Sequence, residues 1–320
     1  MIDKVDLVMW AKNGAQTLPA VLHRINEVIP QEFVNKKIVA DDASSDGTQR
    51  IASSFGWSVI PNKGHGISDG ANTALEAVTS NVFISFEQDL LLTLDWWQKI
   101  PPLLESSKVA IASGMRYADK PVGVKKMQEY VGRKYRGETN LASWLKSRDM
   151  SAFTLGKTLD NTIYKTKIIR QMGGFPKLRV NAGVDTTLAY KVDHAGYGWI
   201  VDYNVRSVHI RKGLKQELNH QYWYGAQLYE IWRKIGEETN RPPPVTRLGV
   251  IRRFVISPFT GLFMAVQTKE PSVLYIHPLI RFYYMKGLLQ TSKTQKQDNS
   301  HAMLSTNVKT IETGAKSNYD

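Results

Sequence analysis

The chain of 320 residues contains no cysteine. That absence excludes disulfides, thiolate nucleophiles and cysteine-ligated zinc, and it fits a reducing compartment. Acidic residues are scarce as well: 29 Asp plus Glu stand against 42 Lys plus Arg, a formal charge of +13. Such an excess asks for an anionic partner, whether nucleic acid, a membrane surface or a phosphorylated substrate. There is no internal repeat. The opening segment, Met1 to Gly14, lacks the basic stretch, apolar core and cleavage site of a signal peptide, so a cytoplasmic location is expected. What the chain does have is 42% hydrophobic and only 22% charged residues, which excludes a disordered polymer and suits one large domain or two closely packed ones.

Short β-branched runs at Val5–Trp10, Lys36–Ala40, Trp57–Ile60, Val82–Phe86 and Val109–Ser113 predict strands. Between them Leu18, Val21, Leu22, Ile25 and Val28 follow the spacing of one buried helical face, and Ile67–Val78 and Leu94–Leu104 have helical length. Alternation of this kind predicts an α/β fold, with a mixed, mostly parallel sheet and helices on both faces. Ligands of such sheets sit at the carboxyl ends of the strands.

Those strand ends carry the interesting chemistry. Asp41-Asp42-Ala43-Ser44-Ser45-Asp46-Gly47-Thr48 closes the second strand and opens a helix; a carboxylate there can accept from a ligand while Ser45, Asp46 or Thr48 caps the helix. Asn62-Lys63-Gly64-His65-Gly66 follows the third strand, offering permissive backbone and a cation where a phosphate approaches a helix start. Val82–Phe86 runs into Glu87-Gln88-Asp89. Two carboxylates held so close need a cation or a proton, and oxygen ligands point to Mg²⁺ or Mn²⁺ bound together with diphosphate oxygens.

VDLVMWAKNGAQTLPAVL, IVADDASSDGT, NKGHGISDGANTAL and VFISFEQDLLLTLDWW, in this order, resemble the nucleotide-sugar-binding half of family 2 glycosyltransferases with the GT-A fold. The likeness continues through MGGFP and AGVDTTLAYKVDHAGYGWIVDYNVRSVHI, so it spans about residues 3 to 235. It implies a metal-dependent, inverting hexosyltransferase that moves a sugar from a nucleoside-diphosphate donor to a glycan or lipid-linked acceptor. By the same resemblance Asp42, assisted by Asp41, contacts the nucleotide base; Lys63, from its place after the third strand, is expected to help the diphosphate. Glu87 and Asp89 match the outer positions of the family's D-x-D motif, with Asp89 as metal ligand. Asp185 matches the general base, and His209 matches a further metal or diphosphate contact. The chain departs from the pattern at Glu87 and Leu90, where Asp is usual, and at Val184, where Glu is often found. A sugar-phosphate nucleotidyltransferase is the rival enzyme reading, but Ala11-Lys12-Asn13-Gly14-Ala15 is not its glycine- and arginine-rich loop. A basic nucleic-acid-binding protein is the non-enzymatic rival; carboxylates at three strand ends oppose it.

The chain divides, on this reading, into a donor half at 1–115, an acceptor half at 116–215 with a basic, lid-like segment at 116–150, C-terminal helices at 216–290, and a polar, disordered tail at 291–320. Phe254–Val266 has no charge but is interrupted by Pro258 and Gly261, and Val273–Leu289 is broken by His277, Pro278, Arg281 and Lys286. Neither is expected to span a membrane; both can lie in the interface of an anionic membrane, peripheral on its inner face, the alternative being buried helices that cover the catalytic domain.

Overall fold

The computed structural model describes residues 2–135, 156–178, 183–239 and 247–290; the sequence readings for 136–150 and for the tail fall outside them. Residues 2–115 follow the expected alternation of strand and helix, with one exception near 94–104. Strand β1 (Val5–Ala11) is buried along its whole length, and the amphipathic helix α1 (Leu18–Val28) covers it with the five apolar residues of its periodic face. Strand β2 (Val34–Asp41), helix α2 (Thr48–Ser54), strand β3 (Ser58–Pro61), helix α3 (Gly66–Ala77), strand β4 (Val82–Glu87) and the two-residue β5 (Leu90–Leu91) follow. The expected helix at 94–104 is instead a single turn, α4 (Trp96–Lys99), and a 3₁₀ turn over Pro101–Leu104. Consecutive prolines, which lack the N–H an α-helix interior needs, account for the break.

The next strand, β6 (Val109–Asp119), is longer than its apolar run, and helix α5 (Val122–Tyr135) follows it. Residues 116–135 of the supposed lid are thus a strand end and a helix whose Val124 and Met127 are buried against the C-terminal helices. After β7 (Thr162–Lys165) come α6 (Thr166–Gln171), α7 (Val184–His194), β8 (Gly198–Lys212) and the long α8 (Leu214–Thr239). Helices α9 (Arg247–Val255), α10 (Ser257–Thr268) and α11, over residues 273–290, close the described chain.

All eight strands form one sheet in the order β3-β2-β1-β4-β7-β6-β8-β5. β1 pairs in parallel with β2 and β4, β2 with β3, and β6 with β8; β7 is antiparallel to both β4 and β6. One apolar cluster, centred on Leu7, Met9, Leu22, Ile84 and Trp96, fills one side of the sheet. A second, with Val8, Phe83, Tyr164, Phe175 and Leu188, fills the other. Strands β1 and β4 are therefore buried on both faces, which leaves their carboxyl ends as the place where polar groups can meet solvent.

Helix α11 is held by close backbone contacts. A Cβ on Gly225 of α8 would meet the Tyr284 carbonyl and one on Gly287 would meet the Tyr222 carbonyl, both within 2.0 Å, while one on Gly123 of α5 would lie 2.3 Å from the Ser272 hydroxyl. The C-terminal helices are in this way docked on α5 and α8, yet their outer side is apolar. Phe259, Leu262, Phe263 and Val266, at helical spacing along α10, are all more than half exposed.

Candidate active site

Four loops at the carboxyl edge of the sheet are bonded to one another. Asn13, in the left-handed region at φ 50°, receives Ser45 N–H on its Oδ1 and donates its own N–H to the Ser44 hydroxyl. Gly14 N–H bonds to Thr48 Oγ1 at 2.8 Å. Gln88, the middle residue of Glu-Gln-Asp, accepts Lys12 N–H on Oε1 and donates Nε2 to the Lys12 carbonyl. Asp46 takes the Thr48 N–H and so does the capping expected of this octet.

The paired aspartates divide their work. Asp41, 3% exposed, spends Oδ2 on Ser44 N–H and the Gln49 amide and so shapes the turn. Asp42 points toward the edge and accepts from Gly66 N–H, Lys12 Nζ and the His65 ring at 3.0, 3.3 and 3.1 Å. Burial alone would raise its carboxyl, but these three donors outweigh that and hold it below the ordinary aspartate value. The cation beside Asp42 is Lys12; Lys63 pairs with Glu76, and its N–H bonds to Thr73.

Glu87, Asp89 and His209 converge. Strand β5 pairs antiparallel with β8, placing Leu90 opposite His209, and Ile210 N–H bonds to the Asp89 carbonyl. The His209 ring, 1% exposed, lies with Nε2 3.3 Å from Asp89 Oδ1 and 3.6 Å from Glu87 Oε2. One ligand atom from each of the three falls within 4.8 Å of the others. Two carboxylates and an imidazole at a half-open strand end can hold a divalent cation and leave positions for phosphate oxygens.

Behind this cluster lies a pair absent from the sequence reading. Arg116 of β6 reaches Glu87 at 3.7 Å and the fully buried Asp160 at 3.3 Å. Burial would weaken the guanidinium charge, but Asp160 and Glu87 more than restore it. Burial drives the Asp160 carboxyl up, against the pull of Arg116. The signal for Arg116 was faint: it lies three residues past Ser113, where the apolar run stops, on a strand that continues to Asp119. Asp160 carried none, because its partner is 44 residues away in sequence.

Asp185 is in the first turn of α7, where the positive end of the helix dipole favours an anion. It lines one cleft with Glu87, Arg116, His220, Trp223 and Tyr224. Burial raises its carboxyl above the ordinary value, while Arg116 and the Thr186 N–H oppose that rise. Gly183, at φ +77°, turns the chain into α7 so tightly that a Cβ would lie 2.5 Å from Ile231 of α8. The six residues Asp41, Asp42, Glu87, Asp89, Asp185 and His209 thus occupy the same sheet edge, and Lys63 stands apart from them.

Comparison with known proteins agrees with this fold. A curated glycosyltransferase, AglE of Haloferax volcanii, is 19% identical over 234 residues, covering 71% of this chain and 74% of the relative. Among solved structures, the mannosyltransferase PcManGT of Pyrobaculum calidifontis, in complex with GDP-Man and Mn²⁺, superposes with a TM-score of 0.62 at 16% identity, covering 90% of this chain and 86% of that one. Glucosyl-3-phosphoglycerate synthase of Mycobacterium tuberculosis, in complex with Mg²⁺ and UDP, gives 0.51 at 14% identity over 75% and 80%. The pattern of Glycosyl transferase family 2 matches residues 6–166. That span is half the chain and runs from the first strand through Glu87, Asp89, Arg116 and Asp160 to the end of β7, so the chain belongs to glycosyl transferase family 2.

Proposed function

We propose that this glycosyltransferase moves a sugar, with inversion at the anomeric carbon, from a nucleoside-diphosphate sugar to an acceptor carried on a lipid phosphate at an anionic membrane surface. The observation that carries the transfer chemistry is the convergence of Glu87, Asp89 and His209 beside Asp185 and Arg116. Asp89 and His209, with Glu87, would hold Mg²⁺ or Mn²⁺, which when bound supplies Lewis acidity to the departing diphosphate. Asp42 accepts from the donor's nucleoside, on a turn that Asp41 fixes. Arg116, kept charged by Asp160, faces the charge that develops at the leaving group. Asp185 takes the proton of the acceptor hydroxyl; its burial-raised carboxyl is better matched to that role than an ordinary aspartate. One carboxylate on the side opposite the leaving group suffices for direct displacement.

The C-terminal helices support the acceptor's proposed setting. Among the described residues, 12 of the 16 exposed large apolar side chains lie between Leu248 and Leu289, and Arg252, Arg253, Lys269 and Lys286 are exposed among them. No single described helix is long and apolar enough to cross a membrane; α9 and α10 reach that length only as a pair bent by 56°. Apolar faces with flanking cations suit the headgroup level of an anionic bilayer.

The test is donor turnover with a panel of GDP-, UDP- and dTDP-sugars in Mn²⁺, for wild type and Asp89→Asn. The substitution keeps volume but removes charge, so metal-dependent donor binding and turnover should both collapse. Full activity of Asp89→Asn, or of wild type in excess chelator, overturns the reading.

A further inference from the structure

A second cleft opens on the other side of Arg116, with a volume of about 420 Å³. Its floor depends on Gly156, whose φ of +75° and lack of a side chain let the backbone approach Val201 and Met115; a Cβ there would lie 2.9 Å from one and 3.0 Å from the other. The lining is amphipathic. Met115, Met127, Val131 and the rings of Tyr117 and Tyr203 make it largely apolar, while Lys120, Lys125 and Arg206 contribute cations beside one acid, Glu129; Arg116, also in the lining, is paired with Asp160 and Glu87. Lys120 is partly balanced by Glu217 at 2.9 Å, and Lys125 stands 5.6 Å over the Tyr117 ring.

The cleft's position gives it a purpose. One wall is α5, and that same helix packs Val124 and Met127 on Met264, Val273 and Ile276 of α10 and α11, the helices with the apolar outer surface. A route from that surface to Arg116 therefore runs along a single helix. Apolar walls beside several cations suit a ligand that carries both a hydrocarbon chain and an anionic group.

Resting on the transferase reading above, we infer that this cleft receives the acceptor's lipid-phosphate portion. The phosphate lies among Lys120, Lys125 and Arg206, and the start of the hydrocarbon chain lies against Met127 and Val131. Charge-assisted contacts from several cations fix the phosphate, and the apolar walls take the chain. The acceptor would then enter from the bilayer side and present its reacting end to Asp185 past Arg116.

The probe is a polyprenyl phosphate with a diazirine on its chain, in phosphatidylcholine vesicles, crosslinked to the full-length protein and mapped by mass spectrometry. Crosslinks are expected on peptides carrying Met115, Met127 and Val131. Lys125→Glu with Arg206→Glu should lower probe affinity about 10- to 100-fold, the worth of one to two charge-assisted contacts. Val131→Trp, which fills the apolar part without changing charge, should lower crosslinking on its own. Metal-dependent donor hydrolysis should be unchanged in both variants, because neither alters the donor edge. Crosslinks confined to α9–α11, unchanged affinity in both variants, or full competition by inorganic phosphate alone would overturn the assignment. A wild-type protein that crosslinks in the cleft but hydrolyses no donor would instead refute the transferase reading and leave the lipid site standing.

Discussion

Gly183→Ala is the most informative single change, because the structure divides its cost into two parts that a mutant cycle can separate. The first part is backbone: at φ +77° an L-residue is disfavoured by about 1–2 kcal/mol relative to glycine. The second is steric. The new Cβ would lie 2.5 Å from Cγ1 and 2.9 Å from Cγ2 of Ile231, itself only 4% exposed, and overpacking of this kind costs about 1–3 kcal/mol. Together they predict a loss of about 2–5 kcal/mol, measurable by urea denaturation with linear extrapolation. Ile231→Ala alone should cost about 2–5 kcal/mol through the cavity it leaves. In that background, however, Gly183→Ala meets no clash and should cost only its backbone part, so the two changes should couple favourably by about 1–3 kcal/mol. Turnover should follow the same order, since the displaced turn carries Asp185. Additivity of the two changes within about 0.5 kcal/mol would refute the claim that α7 and α8 meet at Gly183.

Other expectations follow from the same geometry. Asp185→Asn should bind donor nearly normally while transfer falls by roughly 10²- to 10⁴-fold; lost donor binding with unchanged turnover would reassign the residue to structure. Because burial raises the Asp185 carboxyl, its carboxylate form is lost as pH falls through that raised value, so with Asp185 as the proposed base the acid limb of kcat should lie above the ordinary aspartate value of about 3.9. Asp6 is fully buried and accepts from Ser80 N–H, Thr79 N–H and the Asn35 amide. Burial pushes its carboxyl up, but these donors hold it lower overall, so its stabilisation is present above the unfolded value and lost as pH falls through the folded one. Asp6→Ala should cost about 2–4 kcal/mol in thermal or urea unfolding and flatten that acid loss. Phe259→Asp with Phe263→Asp should abolish co-flotation with anionic vesicles without lowering Tm, because both rings are already exposed; retained flotation would send the membrane contact elsewhere.

Much of the donor half was readable because each of its motifs is local. Asp42, Glu87 and Asp89 stand where an apolar run ends, and parallel neighbours bring those ends to one edge. His209 needed more, since its place depends on pairing Leu90 with a residue 119 positions later, and only the family likeness carried that information. Arg116 was hidden by treating the strand as finished at Ser113, whereas β6 continues to Asp119 on hydrogen bonds with β8 that composition does not reveal. Asp160 has no local pattern at all. No single described helix in the apolar C-terminal stretches is long and apolar enough to cross a membrane, and their spacing could not say which face is covered. The close crossings at Gly123, Gly225 and Gly287 decide that, and they depend on three separate helices.

The amide of Gln88 has a consequence for anyone who would re-engineer donor choice. By clasping both the N–H and the carbonyl of Lys12, it fastens the Glu-Gln-Asp turn to the loop after β1, and that loop is fastened through Asn13 and Gly14 to the paired-aspartate turn. Gly14 has no room for a side chain against Gln88, with a Cβ falling 2.5 Å from its Oε1. A turn transplanted alone from a relative with different donor preference would bring its own geometry into a mould cast for this one. The interchangeable module is the set of loops at 12–17, 42–48 and 87–89, and a chimera that moves all three at once should keep its fold where single-loop grafts lose it.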